Sequence, residues 1–138
     1  MKILKTYDKY NIDDVKHFNR MSNYYFKSTK HSYLIKICSM DGIDGYFSVG
    51  FGIVDHGDFH YDTTKIVNEN PYEIMDTVFD VMYNFMLKQK NIKGFIFSFT
   101  GDKIKNEQRL KLYKRTIDKY FKESELEYID GLYYLKIK

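Results

Sequence analysis

The spacing of apolar side chains changes several times along this chain, and each change marks an element. From Tyr46 to Val54, Phe47, Val49, Phe51 and Ile53 alternate with Ser48, Gly50 and Gly52, which predicts a strand. Its large residues need a core, while its small ones let another backbone or a ligand come close. Tyr33 to Met40 alternates in the same way, with Tyr33, Ile35 and Ile37 on one face, and Tyr24 to Lys27 reads as a shorter strand before it. Asp41-Gly-Ile-Asp-Gly45 is dense in turn residues, so an antiparallel trio joined by short hairpins is expected.

The period then shifts to that of a helix. Asn70 reads as an N-cap, Pro71 as the first helical residue and Glu73 as the partner in a capping-box-like pair. Ile74, Val78, Val81, Met82, Phe85 and Met86 follow as a broad stripe to about Leu87, wide enough to lie on a sheet. Phe95 to Thr100 is apolar on both sides, as an internal strand would be. A second helix is predicted from Asn106 to Phe121, with Leu110, Tyr113 and Ile117 on its buried side. Asp130-Gly131 predicts a two-residue hairpin between Glu127–Ile129 and Leu132–Ile137. At the N-terminal end, Met1 to Leu4 reads as a short strand. Asn11 reads as the cap of a helix striped by Ile12, Val15 and Phe18, and Asp55 to Glu69 reads as a polar loop. The expected order is β-α-β-β-β-α-β-α-β-β, an α+β fold in one domain over residues 1–138, since no repeat or linker interrupts it.

Composition narrows the class. With 43% apolar and 18% aromatic residues, the chain can fill a core and is no disordered segment. The single cysteine, Cys38, leaves no internal disulfide, and it reads as an inert strand thiol. No apolar run approaches the roughly 18 residues a membrane span needs, and the polar N-terminus does not read as a secretion signal. No membrane partner is expected, and the expected location is the cytoplasm. The net charge of +3 is modest but uneven: eight basic residues stand between Lys103 and Lys122, whereas Asp41 to Asp62 is acidic.

Asn106, with Tyr113 seven residues on and the strand Phe95–Thr100 before it, resembles the last core helix of the GNAT acetyltransferase superfamily. The predicted element order is similar to that superfamily from end to end, and the resemblance implies a GNAT-like mixed sheet. It further implies acetyl-CoA as cofactor if the chain is an enzyme, with Asn106 at the cofactor and Tyr113 protonating the departing thiolate. The chain also resembles a loosely defined set of small uncharacterised prokaryotic and phage proteins. Those share a helix like Asp76-Thr-Val-Phe79, a Phe-rich strand and a segment like Arg109-Leu-Lys-Leu-Tyr113. Abundant Lys, Ile, Asn and Tyr suit an AT-rich genome, such as that of a phage of a low-GC host. The chain departs from the GNAT pattern where the superfamily places a glycine-rich pyrophosphate turn. Val67-Asn-Glu-Asn-Pro-Tyr72 stands there, with a carboxylate at Glu69, one backbone donor lost at Pro71, and no glycine between Gly57 and Gly94.

Each candidate site has a chemical and a plain reading. Tyr113 is a general acid or a core tyrosine; Asn106 is a cofactor contact or a helix cap. Glu73 and Asp62 are possible general bases. Lys111, Lys114 and Arg115, with Lys103, Lys105, Arg109 and Lys122, form a face that would meet phosphates or an acidic protein, or simply solvent. His56 and His60, among Asp55, Asp58 and Asp62, suit a divalent metal or a solvated acidic loop, and no third element of a metal motif accompanies them. Ser98 lies in no nucleophile elbow. The leading expectation is a non-catalytic accessory protein of phage or mobile-element type, without cofactor, whose partner is a protein. A divergent N-acyltransferase and a nucleic-acid-binding module are the alternatives.

Overall fold

In the computed structural model, residues 9–55, 58–60, 71–97 and 103–137 are described. Their elements are β1 (Asp14–His17), β2 (Met21–Lys27), β3 (Ser32–Ser39), β4 (Tyr46–Asp55), β5 (Asp58–His60), α1 (Pro71–Lys88), β6 (Gly94–Phe97), α2 (Lys103–Tyr120), β7 (Glu125–Ile129) and β8 (Leu132–Lys136). The class is α+β. The strands form a mixed sheet in the order β1-β2-β3-β4-β6-β8-β7, with β5 added to β4.

The alternating stripes of neighbouring strands coincide because register places like with like. Tyr33, Ile35 and Ile37 lie opposite Ile53, Phe51 and Val49, and Phe26 lies opposite Tyr33. The rings of Phe26, Tyr33 and Phe51 stack, at 5.0 Å between Phe26 and Tyr33 and 5.5 Å between Tyr33 and Phe51. β6 sits between β4, to which it is parallel, and the antiparallel β8, and its four residues are buried. That is the internal position its apolar run predicts. Both helices cover one side of it. Phe97 meets Phe79 of α1 at 6.1 Å and Tyr113 of α2 at 5.6 Å, while Phe95 meets Phe85 and Phe121. The Asp130-Gly131 hairpin also forms, with both residues at positive φ (51° and 83°), as a two-residue hairpin of that type requires.

Three expectations are corrected. No helix follows Asn11; Asp14–His17 is a strand hydrogen-bonded to β2. Ile12, Val15 and Phe18 mimic helical spacing, yet Val15 and Phe18 are 40% and 54% exposed, so no buried stripe exists to hold so short a helix. Phe18 N–H instead donates to Met21 O at 2.7 Å and closes a hairpin. The predicted loop after Asp55 contains β5, which folds straight back onto Ile53–Asp55. Finally, α2 begins at Lys103 rather than Asn106, since nothing in Lys103-Ile-Lys105 breaks a helix. Met1 to Leu4, the Asn70 cap and Ser98 lie outside the described residues.

Candidate functional site

Helical periodicity carries Tyr113 into the core. It is 2% exposed and ringed by Phe79, Phe97 and Tyr133 at 5.6 to 6.3 Å. Asn106 stands a turn inside α2, so it does not cap that helix. Of the basic face, Lys111 and Lys114 are exposed, whereas Arg115 turns toward α1. Lys103, Lys105 and Arg109 lie on α2, but their side chains fall outside the described residues.

Arg115 turns because of Asp76, which is fully buried on α1. Arg115 Nη1 lies 3.4 Å from Asp76 Oδ1, and Lys119 Nζ lies 2.9 Å from Oδ2. Arg115 and Lys119 are one helical turn apart, so they flank the carboxylate together. The Arg115 guanidinium also lies 5.0 Å from the centre of the Tyr72 ring, and the Lys119 ammonium 5.1 Å from that of Tyr120. Around this centre Lys9 pairs with Asp80 at 2.9 Å, and Tyr10 OH donates to Glu73 at 3.3 Å. Three acids and three cations therefore balance along the seam between the N-terminal segment and the two helices. Thr77 Oγ1 donates to Glu73 O and accepts from Tyr10 N–H, while Thr116 Oγ1 donates to Leu112 O, so both buried hydroxyls are satisfied. Glu73, a candidate base, is thus engaged by Tyr10, and Asp76 has no route to solvent. The seam has the chemistry of a structural network, and the sequence carries one sign of it: a carboxylate within the apolar run Ile74 to Phe79.

Beside the seam, a cavity of about 510 Å³ opens at the C-terminal end of α2. Tyr83, Met86, Lys119, Tyr120, Phe121 and Lys122 help to line it. The Tyr120 phenol is pushed up to about 12, first by burial, then by the negative charges of Asp76 and Asp80, against a smaller opposing effect of Arg115. The folded state therefore holds this proton more tightly than the unfolded chain, whose tyrosine titrates near 10.0. Tyr120 contributes stability that is complete below pH 10 and is lost as pH rises toward 12. Tyr120→Phe is expected to flatten the fall in urea midpoint across that window and to leave the midpoint at pH 7 little changed.

The sequence-predicted residues do not come together. Tyr113 belongs to the core, Arg115 to the seam, and Lys111 and Lys114 to the surface. His60 stands on β5, while the side chains of residues 55–60 and all of His56 and Asp62 lie outside the described residues. Among the described residues, no group of three or more metal-ligating side chains converges, and no helix is long and apolar enough to cross a membrane. Cys38 is half-buried on the sheet face away from the helices, opposite Met21 and Ser48.

The strand edges carry the remaining geometry. β3 occupies one side of β4 from Phe47 to Ile53. On the other side, β6 pairs with Tyr46–Val49 and β5 with Ile53–Asp55. The β4–β6 ladder ends at Val49 and the β4–β5 ladder begins at Ile53, so the three residues Gly50–Gly52 lie between them. The chain matches the family of unknown function DUF6934 over residues 6–134 and belongs to that family. No curated protein and no solved structure matches it.

Proposed function

We propose that this DUF6934 member is a non-catalytic binding module on a GNAT-like fold, an accessory protein of phage or mobile-element type that acts on a protein partner. The observation that carries the reading is how short a stretch of the β4 edge lies between its two partners on that side. A cofactor entering between β4 and β6 would find them paired over Tyr46–Val49 and β5 paired over Ile53–Asp55, with only Gly50–Gly52 between the two ladders. Tyr113 adds to this, since its ring is enclosed by Phe79, Phe97 and Tyr133 and serves packing. Around the start of α1 the sequence has Glu69 and Pro71 in place of glycines, so a pyrophosphate would meet an adverse charge and fewer donors. The phage or mobile-element origin rests on the AT-rich residue usage and on the similarity of the Asp76–Phe79 and Arg109–Tyr113 segments to small uncharacterised prokaryotic and phage proteins.

Titration calorimetry with acetyl-CoA tests the reading. Only heats of dilution are expected. A micromolar dissociation constant, lost in Tyr113→Phe or Asn106→Ala, would replace it with a divergent N-acyltransferase.

A further inference from the structure

We propose that β1 is a docking edge for a second copy of this chain, the two β1 strands pairing antiparallel about a two-fold axis at Val15. β1 ends the described sheet and its four residues are all exposed, so no described residue covers it. Its backbone is poised for a partner. The Phe18–Met21 hairpin fixes the hydrogen-bonded pairs of the β1–β2 ladder at alternate residues. Lys16 and Asp14 therefore bond inward, and Val15 and His17 turn their N–H and C=O outward. A two-fold axis at Val15 lets the two Val15 residues exchange both bonds.

The side chains single out that register. In Asp14-Val15-Lys16 an acid and a base stand at equal distances on either side of Val15. Antiparallel pairing at Val15 sets Asp14 opposite Lys16 of the copy, twice over, on the sheet face away from the helices. It sets Val15, which is 40% exposed, opposite its counterpart, while Asp13, just outside β1, keeps its N–H on Tyr25 O at 2.8 Å and stays out of the ladder. Moving the axis to Asp14 would face Asp14 with Asp14, and moving it to Lys16 would face Lys16 with Lys16. Asp13 and Asp14 make no ion pair among the described residues, so neither must give up a partner. Lys16 lies 5.5 Å from the centre of the Tyr25 ring, on the face where the copy's Asp14 would arrive. The opposite edge behaves differently. β7 carries Glu125 and Glu127 on one face, so self-pairing there would bring carboxylates together and is disfavoured.

So short a ladder buries little area, and a reversible, concentration-dependent dimer is expected. Sedimentation equilibrium over a concentration series should show the wild-type mass climbing from 16.7 kDa toward twice that value. Asp14→Lys alone and Lys16→Asp alone should each remain monomeric where the wild type dimerises, with unchanged circular dichroism because both positions are exposed. An equimolar mixture of these two variants should form a heterodimer, and the double swap Asp14→Lys/Lys16→Asp should restore the homodimer. A wild type that stays monomeric up to its solubility limit would overturn the proposal. So would a dimer that survives both single reversals.

Discussion

Replacing Arg115 and Lys119 together by methionine is expected to destabilise the protein by about 3–5 kcal/mol. Asp76 is fully buried, and these are the two cations that reach its oxygens. Without them the Asp76 carboxylate keeps its buried position with neither cation at its oxygens, and the cost of removing it from water is no longer offset. The methylene stems are largely retained in methionine, so lost packing contributes little. Adding Asp76→Leu to the double variant should recover most of the loss, because replacing a whole buried ion cluster by apolar side chains is often neutral or stabilising. Lys111→Met, on the exposed side of the same helix, should stay within about 0.5 kcal/mol of wild type. Urea unfolding of the four proteins checks this. A double variant no less stable than Lys111→Met would mean that the seam contributes nothing. The seam also bears on the basic helix: a test of phosphate binding should alter Lys111 and Lys114 and leave Arg115 intact.

Gly94→Ala is expected to cost on the order of 3 kcal/mol, the upper end for overpacking. A Cβ at Gly94 would press on the Leu135 carbonyl oxygen of β8 and stand 2.8 Å from Tyr46 Cε1 of β4. The first obstacle is backbone inside a paired ladder, so it cannot turn aside as a flexible side chain would. Relief requires β6 and β8 to move apart, which strains the pairing of Gly94 with Lys136 and of Phe95 with Leu135. Gly42 offers the contrast. A Cβ there meets nothing within 4 Å, and the only penalty is its positive φ of 79°, about 1–2 kcal/mol. Denaturation midpoints that fall no further for Gly94→Ala than for Gly42→Ala would refute the steric argument.

What the sequence disclosed follows the range of the forces involved. β4, α1 and the Asp130-Gly131 hairpin were readable because alternation, a proline-led start and a turn dipeptide are local signals. β1 does not follow from the sequence because Ile12, Val15 and Phe18 happen to fall at helical spacing; Ile12 packs against the core, and only the exposure of Val15 and Phe18 reveals that no continuous stripe meets it. β5 spans three residues, too few for any period to show. The seam shows in the sequence only as the carboxylate of Asp76 within an apolar run, and its partners stay hidden for another reason. Asp76 is 39 residues from Arg115 and 43 from Lys119, and a charge pattern read along one helix cannot report a partner on another. Arg115 therefore counted with the solvent-facing lysines. Tyr113 lies on an apolar stripe legible in the sequence, whereas its enclosure depends on Phe79, Phe97 and Tyr133, which come from three other elements.

The shared edge of β4 also imposes an order on biosynthesis. As the chain leaves the ribosome, β2, β3, β4 and β5 can assemble by successive reversals, each strand meeting one already made. Tyr46 to Val49 must wait, because their remaining partner, Gly94 to Phe97, emerges only after the whole of α1. During that interval the nascent sheet carries an open edge beside Phe47 and Val49, the kind of surface on which unfinished chains stick to one another. Early docking of α1, which sets Phe85 against Phe47 at 5.0 Å, would shield those side chains before β6 arrives to close the ladder.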